Sequence, residues 1–183
     1  MAGNSGYQYL LAYKLSVPIY DYTVQFTKKY IDYHSRTRDQ MEQAARSGMQ
    51  NIAEGYKQES LAGYIKLCGV SRGSFEELLN DYYSYARQNR IEIWEKERAK
   101  REIREIGEIW ELIRQSRPLP SLPYFPSLPS HPVICINFLV SLIKQANYFL
   151  DKLILALKTK HMKEGGFNEK LLQSRLEYRK KYS

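Results

Sequence analysis

SLAGYIKLCGVSRGSFEELLNDYYSYAR, residues 60–87, is where the architecture becomes readable. Tyr64, Cys68, Ser71, Phe75, Leu78, Tyr82 and Tyr85 recur there at alternating steps of four and three. A helix turns once in about 3.6 residues, so these side chains form one seam along it. Such a seam belongs to a helix packed in a bundle. Alternating strand patterns are absent from the rest of the chain, which predicts helices almost throughout.

On the N-terminal side, Ser35 or Thr37 is placed to cap a helix running to about Tyr56. Met41, Ala44, Ala45, Gly48 and Ile52 make its narrow apolar face, with side chains small enough for another helix to come close. Gly55 falls in the expected C-cap region. A first helix is expected from Tyr7 to about Tyr33, with a kink or a restart at Pro18. On the C-terminal side, Ile91 to Arg114 reads as a fourth helix with Ile103, Ile106, Ile109, Trp110 and Ile113 as its buried stripe. From Glu95 to Arg114 it holds six acidic and six basic residues. Pairs four apart, such as Glu97 with Arg101, support a helix by about 0.2–0.5 kcal/mol each.

The composition then changes. From Pro120 the prolines recur every third residue through Pro123, Pro126, Pro129 and Pro132. Polyproline II has three residues per turn, and fifteen residues of it reach ~46 Å. The fourth helix is ~36 Å long, so this strap can run back along a whole bundle. A further helix is expected from Val133 to Lys160, then a break at Gly165-Gly166, then a short basic helix from Asn168 to about Lys181. The expected fold is all-α: an up-down four-helix bundle over residues 1–115, a Pro-rich strap over 116–132, and one or two C-terminal helices with a basic tail over 133–183.

The chain has 183 residues, 28 Lys and Arg against 20 Asp and Glu, and a net charge of +8. That length suits one domain, or one domain with an appendage. A positive balance suits an anionic partner without choosing it. Residues 158–183 hold eight Lys or Arg and three Glu, which is +5 of the total. Two cysteines, Cys68 and Cys135, exclude a disulfide framework and read as small core residues in a reducing, cytoplasmic setting. His34, His131 and His161 have no metal-ligand spacing, so no metal or cofactor is expected. The longest apolar stretch, Val133 to Ile143, is interrupted by Lys144 and is short for a membrane span.

The second helix carries Arg36-Thr37-Arg38-Asp39-Gln40-Met41, Ala44-Ala45-Arg46-Ser47-Gly48 and Asn51-Ile52-Ala53-Glu54-Gly55. These runs resemble the four-helix-bundle proteins encoded in intervening sequences of 23S rRNA genes, the S23-like family. Phe75-Glu76-Glu77-Leu78-Leu79 resembles that family's third helix, and Tyr20 to Tyr30 its first. Ile143-Lys144-Gln145-Ala146-Asn147-Tyr148, Asp151 and Glu164-Gly165-Gly166-Phe167 resemble the suffix extension of one branch. The resemblance implies an up-down bundle assembled as a homopentamer with a basic surface, and no settled biochemical activity. A distant branch of the family serves as the accessory subunit of reverse transcriptases in diversity-generating retroelements.

Candidate nucleic-acid contacts are Arg36, Arg38, Arg46 and Lys57 around the second helix, Arg72 on the third, and Lys170, Arg175, Arg179 and Lys180 in the basic tail. Arg offers forked hydrogen bonds to phosphate oxygens. The plainer reading is solvated surface with local pairs such as Arg38–Glu42. Asn51, Glu54 and Gly55 read as a structural motif rather than a catalytic one. Glu76, Glu77 and Asp81 share a helix, but acid–base chemistry needs two groups in one pocket, and no catalytic residue is expected. The expected function is non-enzymatic binding of RNA or DNA by a ring of bundles. The alternative is a protein adaptor, such as a reverse-transcriptase accessory subunit.

Overall fold

The computed structural model describes residues 6–115 and 125–182, and among these there are seven α-helices, one 3-10 turn and no strand. The chain is all-α, as its periodicity predicts. The 3-10 turn Gly6–Tyr9 leads into α1, Leu11–Tyr30. Then come α2, Arg36–Tyr56, and α3, Leu61–Gln88. Two short helices follow, α4 at Lys96–Glu102 and α5 at Arg104–Gln115. The last are α6, Pro132–Glu164, and α7, Phe167–Tyr182.

Local chemistry sets the ends. Ser35 caps α2, its side chain accepting from the Thr37 amide at 3.3 Å, and Ser60 caps α3 through the Gly63 amide at 3.1 Å. Past α3, Arg90 takes a left-handed φ of 56° and the Ile91 amide returns to the Ala86 carbonyl at 2.8 Å. That return bond satisfies a carbonyl the helix end would otherwise leave open. At Pro18 the sequence predicts a kink or a restart. There is no restart: α1 runs through it with Pro18 buried.

α1 packs on α2 and α6, and α3 packs on α2 and α6, so four walls close around one core. Short loops turn α1, α2 and α3 back on one another. Rising numbers on α3 meet falling numbers on α6: Arg72 pairs with Asp151 at 3.2 Å, while Glu76 faces Asn147. The Tyr22 ring of α1 lies 5.2 Å from that of Phe138. Farther along α1, the Tyr30 hydroxyl donates to the Ser130 carbonyl at 2.7 Å, just ahead of α6. The walls therefore run up, down, up, down.

The identity of the fourth wall corrects the sequence reading. Residues 91–114 do not form one helix; Ile103 leaves helical geometry at φ −112° and ψ 99°, and α4 and α5 lie against the outside of α6. The physical reason is the width of the apolar surface. Cys135 to Val140 are all buried, polar Asn137 among them, so α6 needs neighbours on several sides. Ala99, Ile103, Ile106, Ile109 and Ile113 make only a narrow stripe, which suits a helix on the flank.

Residues 125–131 lie along the bundle. Phe125 packs on the core, and Tyr22 donates its hydroxyl to the Pro126 carbonyl at 2.6 Å. The Lys14 ammonium meets the Ile113 carbonyl at 3.2 Å near the end of α5. The chain thus leaves α5 beside the start of α1 and returns beside its end. The strap is a connector laid on its own bundle over residues 125–131; Pro118, Pro120 and Pro123 lie outside the described residues. By length and composition α6 can cross a membrane, with a mean hydropathy of 1.5 over its most apolar window. Most of that window is buried inside the bundle.

Candidate nucleic-acid interface

Small residues let α2 and α3 approach closely. A Cβ on Gly48 would stand 2.6 Å from the Phe75 ring, and Ser71 donates to the Gly48 carbonyl at 2.6 Å. Asn51 donates to the Ser47 carbonyl at 2.8 Å and to its hydroxyl at 3.0 Å, and Ser47 meets Ser74 of α3 at 3.0 Å. That network ties the two helices together and gives Asn51 a structural task. Glu54 is exposed. The expected cap at Gly55 needs correcting: α2 runs on to Tyr56, and Gly55 is buried inside the last turn. Its lack of a Cβ serves close packing, because one would meet Tyr64 at 2.9 Å.

Toward the other end of α2 and α3 the helices part into an open groove of about 710 Å³. Arg36, Asp39, Gln43, Ser47, Ser74, Glu77 and Asp81 line it. Glu77 and Asp81 stand one turn apart. Burial, and then the neighbouring Glu77 charge, raises the Asp81 carboxyl above its ordinary value. This face is acidic in a chain that is basic overall.

The candidate cations whose side chains are described do not share one face. Arg36 sits on the groove beside Asp39. Arg38 pairs with Glu42 at 3.2 Å and lies over the Tyr33 ring. Arg72 is held between Glu76 at 2.5 Å and Asp151 at 3.2 Å, so its fork is already occupied. Arg46 and Lys57 are exposed, eleven residues apart on one side of α2, which is ~16 Å along a helix. Lys57 also lies 5.8 Å over the Tyr7 ring.

The end of α6 lies at Lys57's end of the bundle. Leu157 of α6 packs with Tyr64 and Cys68 near the start of α3. α6 continues past that contact with Lys158, Lys160 and Lys163, and α7 follows. Arg175, Arg179 and Lys180 are exposed on α7. The Lys170 side chain lies outside the described residues. The break between α6 and α7 falls at Gly165, whose φ of 74° favours glycine.

The groove, the close α2–α3 contact and the buried seam of α3 all lie within residues 8–112. That segment matches the family described as 23S rRNA-intervening sequence protein. It is more than half of the chain. The chain belongs to this family. Within this 23S rRNA-intervening sequence protein the match stops inside α5; the strap, α6 and α7 lie beyond it. No curated protein matches the chain, and no solved structure matches it.

Cys68 and Cys135 are buried, and desolvation pushes their thiols up to about 11 and about 12. Among the described residues no three His, Cys, Asp or Glu side chains come together as metal ligands do. Sequence reasoning missed one residue that organises this region. Asn137, almost fully buried, accepts from the Trp94 amide at 2.6 Å and donates to the Glu92 carbonyl at 2.9 Å. Its signal was a lone amide in an apolar run.

Proposed function

We propose that this protein binds the phosphate backbone of RNA or DNA without catalysing a reaction, as a homo-oligomer on the pentameric pattern its family resemblance implies. The observation carrying this reading is the set of exposed cations at one end, Lys57 after the close of α2 and the lysines of the α6 overhang, with further exposed cations on α7 beyond them. Cations on an exposed helix replace the counterions of a nucleic acid, and the gain is entropic and salt-dependent. Arg38 and Arg72 contribute least, because breaking their ion pairs opposes binding. Repetition around a ring multiplies weak contacts through effective concentration.

The test is a salt titration of binding to short RNA, duplex DNA and single-stranded DNA, with the mass of the protein fixed by light scattering. A steep fall of affinity with salt on a species several times the chain mass supports the reading. Lys57→Glu with Lys180→Glu is expected to flatten the slope on a duplex by about 0.9 for each phosphate the variant no longer neutralises. Absence of binding at low salt overturns it.

A second reading, a protein adaptor, is favoured by exposed Leu155, Met162, Leu171, Leu172 and Leu176. It covers an accessory subunit of a reverse transcriptase. A partner that stays bound through high salt would favour it, because apolar contacts survive screening.

A further inference from the structure

The acidic groove between α2 and α3 and the basic helix α7 carry opposite charge. Glu77 and Asp81 have no cation partner among the described residues, whereas their neighbour Glu76 has Arg72. One cation, Arg36, shares the groove with Asp39, Glu77 and Asp81. Two carboxylates a turn apart repel each other, and burial first, then that repulsion, raises the Asp81 carboxyl. On α7, Arg175 and Arg179 are exposed and have no acidic partner among the described residues. Both pairs are spaced four residues apart, ~6 Å along a helix, so the two rows can lie in register.

We propose that α7 of one copy lies in the α2–α3 groove of a second copy, with Arg175 and Arg179 on Glu77 and Asp81. Leu172 and Leu176 lie on the same side of α7 as the two arginines. They are about half exposed, at 58% and 49%, and docking covers them. Ser47 and Ser74 are small and let a helix come close. Among the described residues, α7 makes no substantial packing contact with its own bundle.

Reach excludes the chain's own groove. α6 overhangs its contact at Leu157 by seven residues, ~10 Å. Folded straight back from Gly165-Gly166, α7 brings Arg179 only ~8 Å past the level of Cys68. Asp81 lies ~20 Å past that level, and the Arg175–Glu77 pair falls short by a similar ~12 Å. Such a contact between copies is head-to-tail, the kind that closes rings. It engages Arg175 and Arg179, two of the candidate nucleic-acid contacts, and leaves Lys180 on another side of α7, so it is tested without nucleic acid.

The experiment is zero-length carbodiimide cross-linking of the full-length R175K/R179K variant without nucleic acid. Each substitution keeps the charge and supplies an amine that can join a carboxylate. A denaturing gel separates single chains from linked pairs, and both bands are mapped by peptide mass. The expected result is a link from residue 175 or 179 to residue 77 or 81 in the dimer band only. Its yield is expected to fall at about 1 M salt, where the screening length is ~3 Å. The link in the monomer band, or in neither band, overturns the proposal.

Discussion

Asn137 holds residues 92–94 against α6 by supplying both a donor and an acceptor to backbone that no helix satisfies. Asn137→Leu keeps the volume and strands both groups. A loss of about 2–3 kcal/mol in denaturant unfolding is expected, since a stranded buried group costs about 1–3 kcal/mol; an unchanged midpoint would refute the clamp. Arg90 is the opposite case, a residue in a conformation that suits glycine. Arg90→Gly is expected to stabilise the protein by about 1 kcal/mol, the cost of a left-handed L-residue, read as a higher melting temperature. Neither position was legible in the sequence. Periodicity counts apolar residues, and it is blind to a polar side chain that serves a neighbour.

Among the elements, the strap and the two cysteine-bearing helices make separate predictions. Tyr22 holds the described end of the strap through one hydroxyl. Tyr22→Phe is expected to cost about 0.5–1.5 kcal/mol, the net worth of one hydrogen bond, and to speed proteolysis within the strap while α1 stays protected. Cleavage at the wild-type rate would show that Phe125 packing alone holds it. Cys68 in α3 and Cys135 in α6 are kept neutral by burial. Their folded values, about 11 and about 12, exceed the ordinary thiol value of 9.0. Their stabilising contribution is therefore complete below pH 9 and is lost as pH climbs through about 11 and about 12, since the unfolded chain releases these protons first. Thiol labelling at neutral pH is expected to track global unfolding; rapid labelling of the native state would contradict that. The seam of α3 and the cap at Ser35 were legible because they depend on local spacing. The break at Ile103 was not, because ion pairs four apart support two short helices as well as one long one.

Taken entire, the protein divides into a packed bundle and a basic appendage. No described side chain of α7 is buried in its own bundle, so at a dilution where the copies are separate the chain ending at Glu164 is expected to unfold within about 0.5 kcal/mol of the full protein. The same truncation is expected to weaken nucleic-acid binding and flatten its salt dependence, because it removes five of the chain's 28 cations. A large drop in melting temperature would place α7 in the fold; unchanged binding would move the interface onto the bundle. The concentration of charge was legible in sequence. Its meeting with Lys57 at one end was not, because that depends on which way α6 runs.

Local physics dictated much of this chain from its residues alone: helices throughout, a close approach of another helix to α2 at its small residues, a connector of prolines, and family membership carried by the motifs of α2. These follow from 3.6-residue periodicity, missing side chains and fixed proline φ angles, all short-range properties. Which helix completes the bundle was settled by tertiary packing. That choice is a competition between apolar surfaces for burial, and α6, buried continuously from Cys135 to Val140, wins it over α4 and α5. Tertiary packing also settled which charges are free. Arg72 is occupied by partners four and 79 residues away, while Glu77 and Asp81 line a groove that they share with Asp39 and one cation, Arg36.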